Sequence, residues 1–112
     1  MSANRATAKE ELRKQMLEDS ASLQADDSLL GKTLRSIFPH MSRAFVLQWI
    51  PEQAEDIYWV LVGRESIVTI EIPRTISADA SPSVKLTTVD KYRERRISKI
   101  TREKLEMALS LI

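Results

Sequence analysis

Gly31, Lys32 and Thr33 have the form of the end of a phosphate-binding loop, where backbone amides cradle phosphate oxygens and the lysine neutralises them. The position five residues earlier is Asp26 rather than glycine, and its charge would repel a phosphate. No strand precedes the segment either, so these residues are expected to be an exposed helix turn. His40 is the only histidine, with Ser42 two residues beyond it. A nucleophilic pair needs the imidazole within hydrogen-bond reach of the hydroxyl and a third group to orient it, which adjacency in sequence does not supply. A histidine after Pro39 is expected to serve as a helix-exit residue. Glu52, Glu55 and Asp56 gather in one turn without the spacing of a calcium loop, and are expected to be a solvated hairpin tip. The sequence therefore names no catalytic residue, metal ligand or cofactor.

Residues 91–104, KYRERRISKITREK, hold seven Lys or Arg against Glu94 and Glu103. Clustered cations release condensed counterions when they meet phosphates. Lys91, Arg93, Arg95, Arg96, Lys99 and Arg102 could contact a nucleic acid backbone, with Tyr92 as a stacking surface. The chain as a whole is nearly neutral, and Glu103 and Glu106 can pair with Lys99 and Arg102 at helical spacing, so a solvated helix face competes with this reading. The last three residues, Ser110, Leu111 and Ile112, have the form of peptides that add a strand to a sheet edge. Here Leu109 and Ile112 are expected to complete an apolar helix face instead.

The aromatic residues are few but gathered. Phe45, Trp49, Tyr58 and Trp59 are four of the six, and all fall in two adjacent apolar runs. Strict alternation would put Phe45, Leu47 and Trp49 on one face of a strand and Val46, Gln48 and Ile50 on the other. In the next run Ile57, Trp59 and Leu61 oppose Tyr58, Val60 and Val62. Both faces are apolar, so both must be covered by helices or by a partner. Trp and Tyr are enriched at binding hot spots. These four residues are thus the expected protein-binding surface, for another protein or for a second copy in a homodimer.

The elements that must carry these residues follow from periodicity. Residues 5–24 are rich in helix formers, with a thin apolar stripe of Leu12, Met16, Leu17 and Leu23. Asp26 or Asp27 can cap a second helix, in which Leu30, Leu34, Ile37 and Phe38 recur at helical spacing until Pro39 stops it. Short β-branched and aromatic runs follow at 44–50, 57–62, 67–72 and, more weakly, 84–89. The short linkers PEQAED and GRES make the successive strands an antiparallel meander. A last helix, capped by Ser98 or Thr101, presents Ile100, Leu105, Ala108, Leu109 and Ile112. The fold class is therefore α+β: an N-terminal helical pair, a three- to four-stranded antiparallel meander, and a C-terminal helix packed on the sheet. It forms a single domain over 1–112, with disorder expected at 1–4 and a mobile loop at 74–83. The bland expectation for the sheet puts helix two and the C-terminal helix on one face and helix one or the loop on the other.

Composition narrows the function classes. The chain of 112 residues has no cysteine, which excludes disulfides, thiolate metal sites and a cysteine nucleophile. Its longest apolar run, 57–62, is far short of the roughly 20 residues that span a bilayer. No signal segment is apparent, so a cytoplasmic protein without membrane partners is expected. Charge is mildly polarised: residues 1–63 carry seven basic and nine acidic groups, residues 64–112 ten and seven. The expected function is a small non-enzymatic protein-binding regulator or adaptor, with nucleic-acid binding through the basic segment as the alternative.

Overall fold

The computed structural model describes the backbone of residues 2–74 and 81–112, with side chains from Thr7 onward in those segments. In chain order the elements are α1 (Ser2–Ala25), α2 (Leu29–Ile37), β1 (Phe45–Pro51), β2 (Glu55–Leu61), β3 (Ser66–Pro73), β4 (Ser83–Thr88), α3 (Val89–Arg93) and α4 (Lys99–Leu111). The strands pair antiparallel in the order β1-β2-β3-β4, a meander. The fold is α+β, with α4 packed on the sheet at β1. The backbone of 2–4, where composition suggests disorder, belongs to α1. Most of the loop expected at 74–83, residues 75–80, lies outside the described residues.

Caps differ in detail from the sequence expectation. The N-cap of α2 is Ser28, whose hydroxyl accepts from the Gly31 N–H, while Asp26 accepts from the Ser28 N–H and hydroxyl. Asp26 thus supports the cap rather than forming it. Arg35, from the last turn of α2, donates to the carbonyls of Leu23 and Asp26, two acceptors at the end of α1 that the helix itself leaves unpaired. Ser98 caps α4, and Thr88 caps the short α3 that the sequence pattern does not separate.

The sheet is covered on both faces, and the helices divide the work differently from the bland expectation. One core joins Phe45, Leu47, Leu61 and Ile67 to Tyr92, Leu105, Ala108 and Leu111, so α3 and α4 lie on this face. The other joins Val60, Val68 and Ile70 to Leu30 and Leu34, so α2 lies on the opposite face. The long α1 borders β1 and serves both cores, Met16 in the first and Leu23 in the second. The buried Ser20 hydroxyl on α1 accepts from the Ala44 N–H. Each fully buried large side chain contributes about 1.5–3 kcal/mol of transfer free energy. On α4 the inward stripe is Thr101, Leu105, Ala108 and Leu111; Ile100, expected on it, is 69% exposed because Thr101 occupies that side of the first turn.

Alternation fails once, in β1. Phe45 pairs with Leu61 and Val46 with Val60, but Gln48 pairs with Trp59 and Trp49 with Tyr58, a bulge between Val46 and Gln48. One extra residue on β1 reverses the facing of everything after it. Gln48 therefore joins the Phe45 face, and Trp49 crosses to the α2 face beside Tyr58.

Candidate functional site

The four aromatic residues do not form one surface. Phe45 is buried under α4. Trp59 lies on the same face, with its ring 5.5 Å from that of Tyr92 and the Arg95 guanidinium 4.1 Å above it. Its buried indole N–H finds no hydrogen-bond partner among the described residues. Trp49 and Tyr58 share the opposite face at the far end of the β1–β2 hairpin, rings stacked 6.4 Å apart with planes 10° from parallel.

Trp49 combines 58% exposure with a fixed position. Its indole N–H donates to Asp56 Oδ1 at 3.0 Å, and Arg74 Nη2 donates to the same oxygen at 2.7 Å. The two bonds tie β1, β2 and the end of β3 together around one carboxylate. The Arg74 hydrogen bond, and next that from Trp49, hold the Asp56 carboxyl below its usual range. Burial, and secondarily the Asp56 charge, push the Tyr58 phenol up, so it remains neutral at physiological pH. Exposed Ile50 adjoins Trp49 in sequence but faces the other side of the sheet, and an open hollow of about 640 Å³ beside it is lined by Ile50, Pro51, Glu52, Gln53 and Arg74. Aromatic area, aliphatic area and mixed charge therefore meet at one end of the sheet. Asp56 and Arg74 are the residues that sequence reasoning misses: Asp56 reads as part of a solvated acidic turn, and Arg74 as the start of a loop. The only sequence signal is an arginine directly after a strand-ending proline.

The basic segment is divided among α3, a turn and α4. Tyr92 is fully buried, with its hydroxyl bonded to Gln48, so it offers no stacking surface. Desolvation by its surroundings raises the phenol to about 12. Arg93 pairs with Glu106 at 3.0 Å, and Arg95 lies over Trp59. Both stay exposed, as do Lys91, Arg96, Lys99 and Arg102. Tyr92 is thus part of the core while Arg95 stays exposed over the Trp59 ring, because the segment folds back on the sheet rather than forming one continuous helix.

The other motifs have ordinary places. Gly31 is buried against the end of α1, and Lys32 is exposed. His40 is exposed in the turn after α2 and makes no hydrogen bond to Ser42, whose carbonyl accepts from Gln24. Leu111 is buried, with its carbonyl bonded to Arg43, so the C-terminal residues pack on the core. Among the described residues no cluster of His, Asp and Glu is placed to hold a metal ion. No described helix is long and apolar enough to cross a membrane. The enclosed depression between α1 and β1, lined by Leu12, Met16 and Phe45 among others, has about 40 Å³, far below the roughly 300–1,000 Å³ of small-molecule sites. No family model, curated protein or solved structure matches the chain.

Proposed function

We propose that this is a non-enzymatic cytoplasmic protein that regulates or bridges other proteins, docking them on the hairpin end around Trp49, with Tyr58 stacked against it and Ile50 on the reverse face of the same end. The observation that supports this reading is a tryptophan more than half exposed yet held by a stacked ring and a hydrogen-bonded indole. An exposed aromatic already fixed in one rotamer loses little conformational entropy on binding, which favours its use as an anchor. Phe45 and Trp59 act from the core, shaping the sheet that presents Trp49. The site is neutral to mildly charged, which suits a protein surface better than a polyphosphate.

The test is affinity capture from the native cell with the wild-type chain and Trp49→Ala, each with and without nuclease. Proteins that survive nuclease on the wild type and are lost from the variant support docking at Trp49. Equal capture by both chains would reject the site, and loss of all capture with nuclease would favour the exposed cations of the basic segment. The substitution removes a largely exposed side chain, so the variant is expected to keep the fold.

A further inference from the structure

The two edges of the sheet are not alike. The β1 edge carries a bulge and is bordered by α1 and α4, whereas β4 ends the sheet and, among the described residues, pairs in unbroken register with β3 only. All its residues but Thr87 are exposed, Leu86 at 65% and Val84 at 38%. The hydrogen-bond phase of this edge is set by the β3–β4 ladder. The Val89 N–H donates to the Glu65 carbonyl at 3.0 Å, which makes 65 and 89 a hydrogen-bonded pair of the ladder. Alternation then turns the backbone groups of Ser83, Lys85 and Thr87 toward β3, and those of Val84, Leu86 and Thr88 outward. Their side chains follow the opposite rule of faces: Val84 and Leu86 lie beside Ile70 and Val68, on the α2 face.

We propose that β4 pairs antiparallel with β4 of a second copy, centred on Leu86, to give a continuous eight-stranded sheet. A two-fold axis perpendicular to the sheet requires residues of the same face to meet, so the centre must fall on a residue and not between two. Centring on Lys85 sets two ammonium groups opposite each other, which is destabilising. Centring on Leu86 instead makes Leu86 meet Leu86, Val84 meet Thr88 and Lys85 meet Thr87. All the outward N–H and C=O groups of Val84, Leu86 and Thr88 then find partners, and the most exposed aliphatic side chain of the strand covers its own copy. The edge is lightly protected: within 83–88 it has no proline and no bulge, and Lys85 is its only charge. A six-residue strand pair buries less than the roughly 1,200–2,000 Å² of a standard interface, so the dimer is reversible, with micromolar to millimolar affinity. It leaves the Trp49 end free, and it does not depend on the docking role proposed there.

The chain has no cysteine, so an introduced one reports register directly. A hydrogen-bonded antiparallel pair has Cα atoms about 5.5 Å apart, within disulfide reach. Under mild oxidation Leu86→Cys is expected to convert to a covalent dimer at least tenfold faster than Lys85→Cys, and sedimentation of the wild type to show dimer growing with concentration up to ~1 mM. Leu86→Pro removes an outward N–H that β3 does not use, so it should leave a folded monomer by circular dichroism and abolish the dimer. Leu86→Lys, at the same exposed position, is a second variant with the same expectation. A wild type that stays monomeric throughout, faster cross-linking of Lys85→Cys, or a dimer that survives folded Leu86→Pro or Leu86→Lys would each overturn the proposal. Failure of Trp49→Ala to lose a partner would leave these measurements unchanged.

Discussion

Replacing Gly31 by alanine tests the joint between α1 and α2, because local and tertiary effects have opposite signs there. Alanine in place of glycine within a helix stabilises by about 1 kcal/mol through backbone entropy. A Cβ built on Gly31, however, would lie 2.9 Å from the Leu23 carbonyl oxygen, 2.4 Å from Asp26 Oδ1 and 3.0 Å from Arg35 Nη1. The Asp26 side chain can turn away only by releasing Ser28, and the Leu23 oxygen is backbone. Relief therefore requires α2 to withdraw from the end of α1, stretching the two 2.6 Å bonds from Arg35 to the Leu23 and Asp26 carbonyls. Overpacking of this kind costs about 1–3 kcal/mol, and weakening a charge-assisted bond about 1.5–3 kcal/mol. Against the gain from propensity, Gly31→Ala should destabilise by about 1.5–5 kcal/mol, a fall in Tm of roughly 6–25 °C for a chain of this size. Urea and thermal denaturation followed by circular dichroism measure it, with Lys32→Ala as the exposed neighbour expected to stay within about 0.5 kcal/mol of wild type. Asp26→Ala combined with Gly31→Ala should recover part of the loss, since one of the two worst contacts disappears while the Leu23 carbonyl remains. A rise in Tm for Gly31→Ala, as for a free helix, would refute the reasoning.

Ser20→Ala orphans the buried Ala44 N–H and should cost about 1–3 kcal/mol in urea unfolding; an unchanged midpoint would mean that the bond contributes nothing. Asp56 has its folded pKa lowered, chiefly by Arg74, so its contribution to stability is present above the unfolded carboxylate range and is lost as pH falls through the folded value, below about pH 4. Carboxyl NMR titration should show the Asp56 midpoint rising in Arg74→Ala, and an unmoved midpoint would contradict the assignment. For Tyr92 the folded pKa is raised to about 12, so the stabilisation is complete below the unfolded value near 10 and declines as pH rises from there towards 12. Absorbance titration of Tyr92→Phe should lack the more alkaline of the two tyrosine transitions, and the lost bond to Gln48 should cost about 1 kcal/mol; loss of the less alkaline transition instead would place the strongly raised phenol at Tyr58.

Local signals carried much of the fold. The recurrence of Leu30 and Leu34, the stop at Pro39, the caps available at Ser98 and the runs separated by short polar linkers depend on neighbours a few positions away, so the helices and the meander are legible in the chain. The aromatic gathering on β1 and β2 was also legible, but not the arrangement of its members. Alternation counts residues on one strand, whereas facing after Val46 depends on how β1 pairs with β2, and the inserted residue sends Trp49 to one side while Phe45 stays on the other. Arg74 and Asp56 are eighteen positions apart, so their joint hold on Trp49 has no local trace. Likewise the basic run has the charge of a polyanion site in sequence, yet Tyr92 and Arg95 are drawn onto Gln48 and Trp59 because burying aromatic area and satisfying a phenol are possible only against the folded sheet. Which segments are helices and strands is written in short-range periodicity and capping, and so can be read from the chain alone. Which tryptophan is presented, which cations stay free and which sheet edge is left open were decided by strand pairing and helix placement, interactions between residues that only folding brings together.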